Sequence, residues 1–204
     1  MSEVLAAIRE QGVVAIVRAP SAERAAADVR TLVSAGLRVV EVSLTTPGAL
    51  DIVREAASSA PPDVHIGVGT VLTRDDVARS ADAGARFVVS PAFRLEVVAS
   101  ARAAGLDTLP GVATPTEALQ ALDAGSTMVK LFPASLWAPS SLRDVLVALP
   151  TLEVVPTGGV SLESAREWIT AGAVALGIGS SLTKATDPAA TARGLLEAIA
   201  AARE

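Results

Sequence analysis

Residues 106–132, with the sequence LDTLPGVATPTEALQALDAGSTMVKLF, contain one complete strand–helix–strand unit. The run LDTLP at 106–110 predicts a strand, and TMVKLF at 127–132 predicts the next one. Between them, Thr114 with Glu117 three residues later is typical of a capping box at a helix start. Gly125 fits the left-handed position that follows a helix. This order predicts two parallel strands joined by a crossover helix.

The same unit recurs along the chain. We predict eight strands, at residues 13–18, 38–44, 64–69, 86–90, 106–110, 127–132, 153–158 and 173–179. We predict helix caps at Ser21, Thr46, Thr73, Thr114 and Ser161, and helix-ending glycines at Gly36, Gly84, Gly105, Gly125 and Gly172. Strands that are apolar on both faces favour a parallel sheet covered by helices.

Eight strand–helix units predict an α/β fold, a (β/α)8 TIM barrel with parallel strands, as a single domain over residues 1–204. An open doubly wound sheet is the alternative. It is less favoured because no glycine-rich turn of the dinucleotide-binding type follows the first strand.

Composition excludes several function classes. The net charge of −5 argues against a nucleic-acid surface. The chain has no cysteine and one histidine, so we expect no disulfide, no thiolate or multi-histidine metal site, and no Ser-His-Asp triad. The start MSEVLAAIREQ lacks the pattern of a signal peptide, and no apolar run reaches the ~20 residues of a membrane span. We therefore expect a cytoplasmic protein.

Lys130 is unusual because the chain contains two lysines against fifteen arginines. Side chains alternate along a strand, so Met128, Lys130 and Phe132 share one face, which we expect to point into the barrel. A structural lysine, paired with a carboxylate or reaching water, is one interpretation. The other is a nucleophile for Schiff-base chemistry, since lysine can lose its proton and arginine stays protonated.

Glu41 lies within the apolar run RVVEVSL at 38–44. A carboxylate there is costly to bury without a partner. Strands 2 and 6 are both even-numbered, so Glu41 and Lys130 are expected to share one layer of the barrel interior. The pair is either a buried ion pair or a nucleophile with its general base.

The remaining candidates end other strands. Arg18, after strand 1, either binds a carboxylate or phosphate or pairs with Glu41. The stretches PTGG at 156–159 and GIGSS at 177–181 precede the last two helices, where barrels often bind phosphate, although tight turns explain glycines equally well. We expect Lys184 to be a surface residue and Trp137 to pack rather than line a pocket.

Six motifs occur in one order and spacing: EVSLTTP, GVGTVLT, VVSPAF, LPGVATPTEA, VKLFPAS and VPTGGVS. Together they resemble the KDPG/KHG aldolase family, with features of its 2-dehydro-3-deoxy-6-phosphogalactonate branch, over residues 10 to 185. The resemblance implies a class I (Schiff-base) aldolase of carbohydrate metabolism, as in the Entner–Doudoroff pathway. Such a lyase cleaves a 2-keto-3-deoxy-6-phospho sugar acid to pyruvate and glyceraldehyde 3-phosphate, or alternatively cleaves 4-hydroxy-2-oxoglutarate to pyruvate and glyoxylate.

The resemblance also implies a homotrimer that needs no metal and no cofactor beyond the covalent imine. By position, Lys130 matches the imine-forming lysine and Glu41 the general acid/base. The other matches are Thr70 and Pro91 at the pyruvate end, Phe132 after the lysine, and Gly158, Gly159, Gly179 and Ser180 in the phosphate-binding backbone.

One position departs from the gluconate branch of that family. Thr45 stands where EVTLRT members carry a carboxylate-binding arginine, and Arg18 is the candidate replacement. Thr157 resembles the gluconate branch, whereas FPASLWAPSSLRDVLVALP resembles the galactonate one. Two alternatives remain: a phospho-sugar isomerase or epimerase that forms no imine, and a catalytically silent ligand-binding barrel.

Overall fold

A computed structural model describes residues 2–204. Strands and helices alternate along these residues. The strands are β1 Val13–Val17, β2 Val39–Ser43, β3 His65–Gly69, β4 Phe87–Val89, β5 Asp107–Leu109, β6 Gly111–Val112, β7 Met128–Leu131, β8 Glu153–Pro156 and β9 Leu176–Ile178. The helices are α1 Glu3–Gln11, α2 Ala22–Ser34, α3 Ala49–Ser59, α4 Arg74–Asp82, α5 Leu95–Ala103, α6 Pro115–Asp123, α7 Pro139–Ala148, α8 Leu162–Thr170, α9 Ser180–Thr183 and α10 Pro188–Arg203.

All strand pairs are parallel, which confirms the predicted sheet type. One ladder has the order β5-β4-β3-β2-β1-β9, and the other has the order β6-β7-β8. The fifth predicted strand differs from the prediction, since it divides into β5 and β6 at Pro110. Proline has no N–H to donate to a ladder. Its carbonyl still accepts a hydrogen bond of 2.9 Å from the Lys130 N–H.

The interior of the curled sheet is sealed at one end by α1. Val4 and Ile8 of this helix pack in one cluster with residues near the start of several strands. Those strand residues include Val39, Phe87 and Met128, all without exposed surface. Because α1 occupies the amino end of the strands, a ligand has access to the interior only from their carboxyl end.

The outer faces of the strands pack against the surrounding helices in a larger apolar cluster. Trp137 packs against this cluster, as predicted. All five residues of each of β1, β2 and β3 are buried. Burial on both faces explains why these strand sequences are almost continuously apolar.

The structure confirms the predicted N-caps and helix-ending glycines, with one exception. Ser21, Thr73, Thr114 and Ser161 are N-cap residues. The five predicted helix-ending glycines all have φ between 74° and 104°. Thr46 is not a cap, because α3 starts at Ala49 after Gly48. The Thr46 hydroxyl instead accepts a hydrogen bond of 3.3 Å from the Ala19 N–H, in the loop after β1.

None of the helices within residues 2–204 has the length and apolar character needed to cross a membrane.

Gly67 is paired with Phe87 on the neighbouring strand, and a Cβ at Gly67 would lie 2.5 Å from the Phe87 ring. The ring is fully buried and has no room to move. We expect Gly67→Ala to lower the free energy of unfolding by about 1–3 kcal/mol through overpacking. Urea unfolding followed by circular dichroism measures this loss.

The matched control is Gly194→Ala in α10, where a Cβ would meet Leu162 at an ordinary 3.6 Å. Alanine is the better helix residue, so this variant should gain about 0.4–1 kcal/mol. Equal effects of the two substitutions would contradict the packing argument.

Candidate active site

A cavity of about 410 Å³ lies at the carboxyl ends of the strands. Its walls come from the ends of β1, β7, β8 and β9 and from the loops that follow them. Eight predicted site residues line it: Arg18, Lys130, Phe132, Thr157, Gly158, Gly159, Gly179 and Ser180. The other four, Glu41, Thr45, Thr70 and Pro91, are not part of this lining. The fold therefore brings eight of the twelve predicted site residues to one cavity.

Lys130 lies on β7 with 7% of its surface exposed. Its amine lies 5.0 Å from the centre of the Phe132 ring, where the ring's π electrons stabilise a cation. Within residues 2–204 no carboxylate oxygen lies within 4.0 Å of this amine. The structural alternative of a lysine paired with a carboxylate is therefore not what the structure shows.

Glu41 lies on β2 with 1% of its surface exposed. Its carboxylate fills the space beside Gly69, where a Cβ would overlap it. The carboxylate atom Oε2 is buried, and no hydrogen-bond partner is found for it among residues 2–204. Neither Lys130 nor Arg18 forms an ion pair with Glu41 there, so both predicted ion-pair alternatives are absent from the described chain.

Burial raises the pKa of the Glu41 carboxyl above its ordinary value. The positive charges of Lys130 and Arg18 oppose this rise of the pKa but do not cancel it. Desolvation dominates because a carboxylate without hydrogen bonds is poorly stabilised in the interior. Glu41 therefore holds its proton to higher pH than an exposed glutamate, which suits a group that gives and takes a proton.

Three hydroxyl groups meet above β2 and β3. The Ser43 Oγ lies 2.8 Å from the Thr45 Oγ1 and 2.8 Å from the Thr70 Oγ1. Thr70 has a φ of 63°, which is a strained backbone for a β-branched residue. Ser43 was not a predicted site residue. Its position two residues after Glu41, on the same strand face, was the signal that could have identified it.

The loop after β8 presents backbone donors to the cavity. Gly158 and Gly159 have φ of 85° and 87°, a conformation that favours glycine. The Gly158 N–H takes part in the parallel bridge between Thr157 and Gly177, whereas no acceptor is found for the Gly159 N–H within residues 2–204. A free N–H group in a glycine loop that lines a cavity suits an anionic ligand.

Lys184 differs from its prediction. It is exposed, as expected of a surface residue, but it also lines the cavity. The signal for this position was present in the sequence, because Lys184 is the chain's second lysine and follows GIGSS by three residues.

We expect the stability of the protein to depend on the pH through Glu41. Its pKa is raised, so between pH 4.5 and the native pKa only the folded state holds this proton. The free energy of unfolding should therefore fall as pH rises, by about 1.4 kcal/mol for each pH unit of this interval. Glu41→Gln removes this loss, so its stability relative to the wild type should increase from pH 4.5 to pH 8.

Urea unfolding at several pH values measures this difference. Glu197→Gln on α10 controls for the loss of one carboxylate. A constant difference between the wild type and Glu41→Gln across the pH range would contradict the assignment.

Comparison with known proteins identifies relatives. A family model described as "Aldolase: KDPG and KHG aldolase" matches residues 4–192. A probable 2-dehydro-3-deoxy-6-phosphogalactonate aldolase of Rhizobium meliloti is 39% identical over 176 residues, which cover 86% of this chain and 83% of that protein. A 2-dehydro-3-deoxy-phosphogluconate aldolase of Treponema pallidum is 35% identical, covering 83% and 80%.

Solved structures agree with these relatives. A structure described as native KDPGal superposes with a TM-score of 0.88 at 32% identity, covering 94% of this chain and 95% of that one. KDPG aldolase from Legionella pneumophila, with pyruvate captured as a covalent carbinolamine intermediate, has a TM-score of 0.81 at 25% identity, covering 99% and 98%. The match of sequence over nearly the whole chain shows that this protein belongs to the KDPG and KHG aldolase family.

Proposed function

We propose that the protein is a class I aldolase that cleaves a 2-keto-3-deoxy-6-phospho sugar acid, KDPG or its galactonate epimer, to pyruvate and glyceraldehyde 3-phosphate. The observation that carries this proposal is Lys130, a buried residue without an ion-pair partner within residues 2–204, which lines the cavity. The pyruvate carbinolamine reported for the Legionella pneumophila relative supports the same chemistry here.

The first step is the attack of the neutral Lys130 amine on the C2 ketone of the substrate. A nitrogen–carbon bond forms and the carbonyl oxygen takes a proton, giving a carbinolamine. Loss of water then gives an iminium ion, which acts as an electron sink. Phe132 covers the amine on one side, and Thr70 and Pro91 are proposed to hold the pyruvate end of the substrate.

Glu41 is the proposed general acid/base. In its ionised form it takes the proton of the C4 hydroxyl, directly or through a water. The C3–C4 bond breaks, its electrons pass to the iminium as an enamine, and glyceraldehyde 3-phosphate leaves. Glu41 then returns the proton to C3, and hydrolysis of the imine frees pyruvate. A raised pKa suits both halves of this cycle.

The two anionic ends of the substrate need different partners. For the carboxylate we propose Arg18 and the Thr45 hydroxyl, since Thr45 stands where an arginine is expected and joins the hydroxyls of Ser43 and Thr70. Arg18 lies near the reacting groups, because its charge acts on the Glu41 carboxyl. For the phosphate we propose the backbone of the two glycine-rich loops, at Gly158, Gly159, Gly179 and Ser180.

The same proposal includes a closed (β/α)8 barrel as one domain over residues 1–204. Two contacts support closure between β8 and β9: an isolated parallel bridge of Thr157 with Gly177, and a 3.0 Å hydrogen bond from the Val174 N–H to the Val154 carbonyl. The Pro110 carbonyl joins the ladders on the other side. Slow hydrogen exchange of the Val174 amide is expected, and exchange as fast as in a free strand edge would contradict closure.

We further propose a homotrimer in the cytoplasm that works without a metal or other cofactor. One structural relative at 31% identity and a TM-score of 0.89 belongs to a cage built from fused symmetric oligomeric domains, which supports an oligomer. Light scattering should give three times the chain mass of 20.6 kDa. Activity should survive dialysis against EDTA, and its loss would contradict the metal-independent reaction.

Imine formation is tested by borohydride reduction in the presence of pyruvate. We expect one adduct, located on Lys130 by mass spectrometry. Lys130→Arg keeps the positive charge but should abolish the adduct, since arginine does not release its proton. The double variant Lys130→Arg/Arg143→Lys keeps the number of lysines at two. It should also form no adduct, because neither remaining lysine occupies position 130. Turnover of substrate without any adduct would indicate an isomerase or epimerase instead. Binding of the phospho-sugar without turnover or adduct would indicate a catalytically silent ligand-binding barrel.

The substrate branch is tested by kcat/KM on the gluconate and galactonate epimers and on 4-hydroxy-2-oxoglutarate. Thr157 lines the cavity and is 4% exposed. Its hydroxyl donates a hydrogen bond to the Val155 carbonyl. We expect Thr157→Val to change the ratio of kcat/KM between the two C4 epimers by about tenfold, the effect of one hydrogen bond. An unchanged ratio would remove Thr157 from the discrimination of the epimers.

A further inference from the structure

The cavity is lined by positive charge, although the chain as a whole is acidic. The protein has a net charge of −5, yet three cations and no carboxylate line this cavity. The cations are Arg18 and both lysines of the chain, Lys130 and Lys184. Lys130 and Arg18 already have proposed roles in the reaction, whereas Lys184 has none.

Lys184 lies at the end of the cavity formed by the last glycine-rich loop. It follows α9 directly, and its backbone N–H donates a 3.0 Å hydrogen bond to the Ser180 carbonyl. Lys184 is therefore close to the predicted phosphate-binding backbone at Gly179 and Ser180.

The Lys184 amine is available to a ligand. No carboxylate lies within 4.0 Å of it anywhere in residues 2–204. The nearby cation Arg24 is different, because it binds Asp28 at 2.8 Å and the Thr183 carbonyl at 3.0 Å. An arginine in this region is thus paired, while the lysine that lines the cavity is left without an anion.

We propose that Lys184 binds the phosphoryl group of the substrate and so sets a preference for phosphorylated over non-phosphorylated 2-keto acids. This inference rests on the proposed aldolase function. Backbone N–H groups alone bind any anion of suitable size, whereas a flexible ammonium adds a charge that favours the dianionic phosphate. Its exposure allows it to follow the phosphate into and out of the cavity.

The experiment compares the wild type with Lys184→Met, which keeps most of the length of the side chain and removes its charge. We expect the KM for the phosphorylated sugar acid, and the inhibition constant of inorganic phosphate, to rise by about 5- to 20-fold, as for loss of one partly exposed charged contact. The kcat and the KM for 4-hydroxy-2-oxoglutarate should stay within about twofold. Lys184→Arg should restore most of the affinity for phosphate, because it restores the charge.

Two controls separate this inference from the aldolase assignment. Arg193→Met removes an exposed cation from α10, away from the cavity, and should leave both constants unchanged. Pyruvate trapping by borohydride should be intact in Lys184→Met. If trapping fails in the wild type, the aldolase proposal is wrong. If trapping succeeds and the KM and inhibition constants of Lys184→Met equal those of the wild type, or rise equally for both substrates, the role of Lys184 is wrong.

Discussion

Two ionisable side chains are buried in the interior of this protein without forming an ion pair. Glu41 and Lys130 are 1% and 7% exposed, and in the described chain neither has an opposite charge within 4.0 Å. Burial of such groups costs stability, because water no longer solvates the charged form. The surrounding apolar strands and helices must offset that cost. The raised pKa of Glu41 reflects this cost, because burial disfavours the charged carboxylate.

The fold places Lys130 at the cavity and Glu41 behind its wall, while most of the interior is closed. Helix α1 fills the amino end of the strands with aliphatic side chains, so only the carboxyl end admits a ligand. At that end, hydroxyls, glycine-rich loops and cations replace apolar side chains. A ligand with a ketone between two anionic ends fits this distribution of charge, which is the chemistry of a phosphorylated 2-keto sugar acid.

Much of this arrangement was predictable, since it follows from local repetition. The strand–helix alternation, four of the five predicted N-caps and the helix-ending glycines depend on residues within one turn or one strand. The two errors have different causes. Thr46 does not cap α3 because its hydroxyl accepts from Ala19 in another loop. The division of the fifth strand at Pro110 was local and visible in the sequence, because proline cannot donate to the ladder.

The sequence by itself determined which residue types carry the chemistry and which strand face they occupy, because side-chain direction alternates with a period of two residues. Only the tertiary structure decided what those side chains meet. It left Glu41 and Lys130 unpaired, joined Ser43 to Thr45 and Thr70, and brought Lys184 into the cavity. The physical reason is that contacts, burial and electrostatic interactions depend on distances between strands that are far apart in the chain, and no local pattern contains those distances.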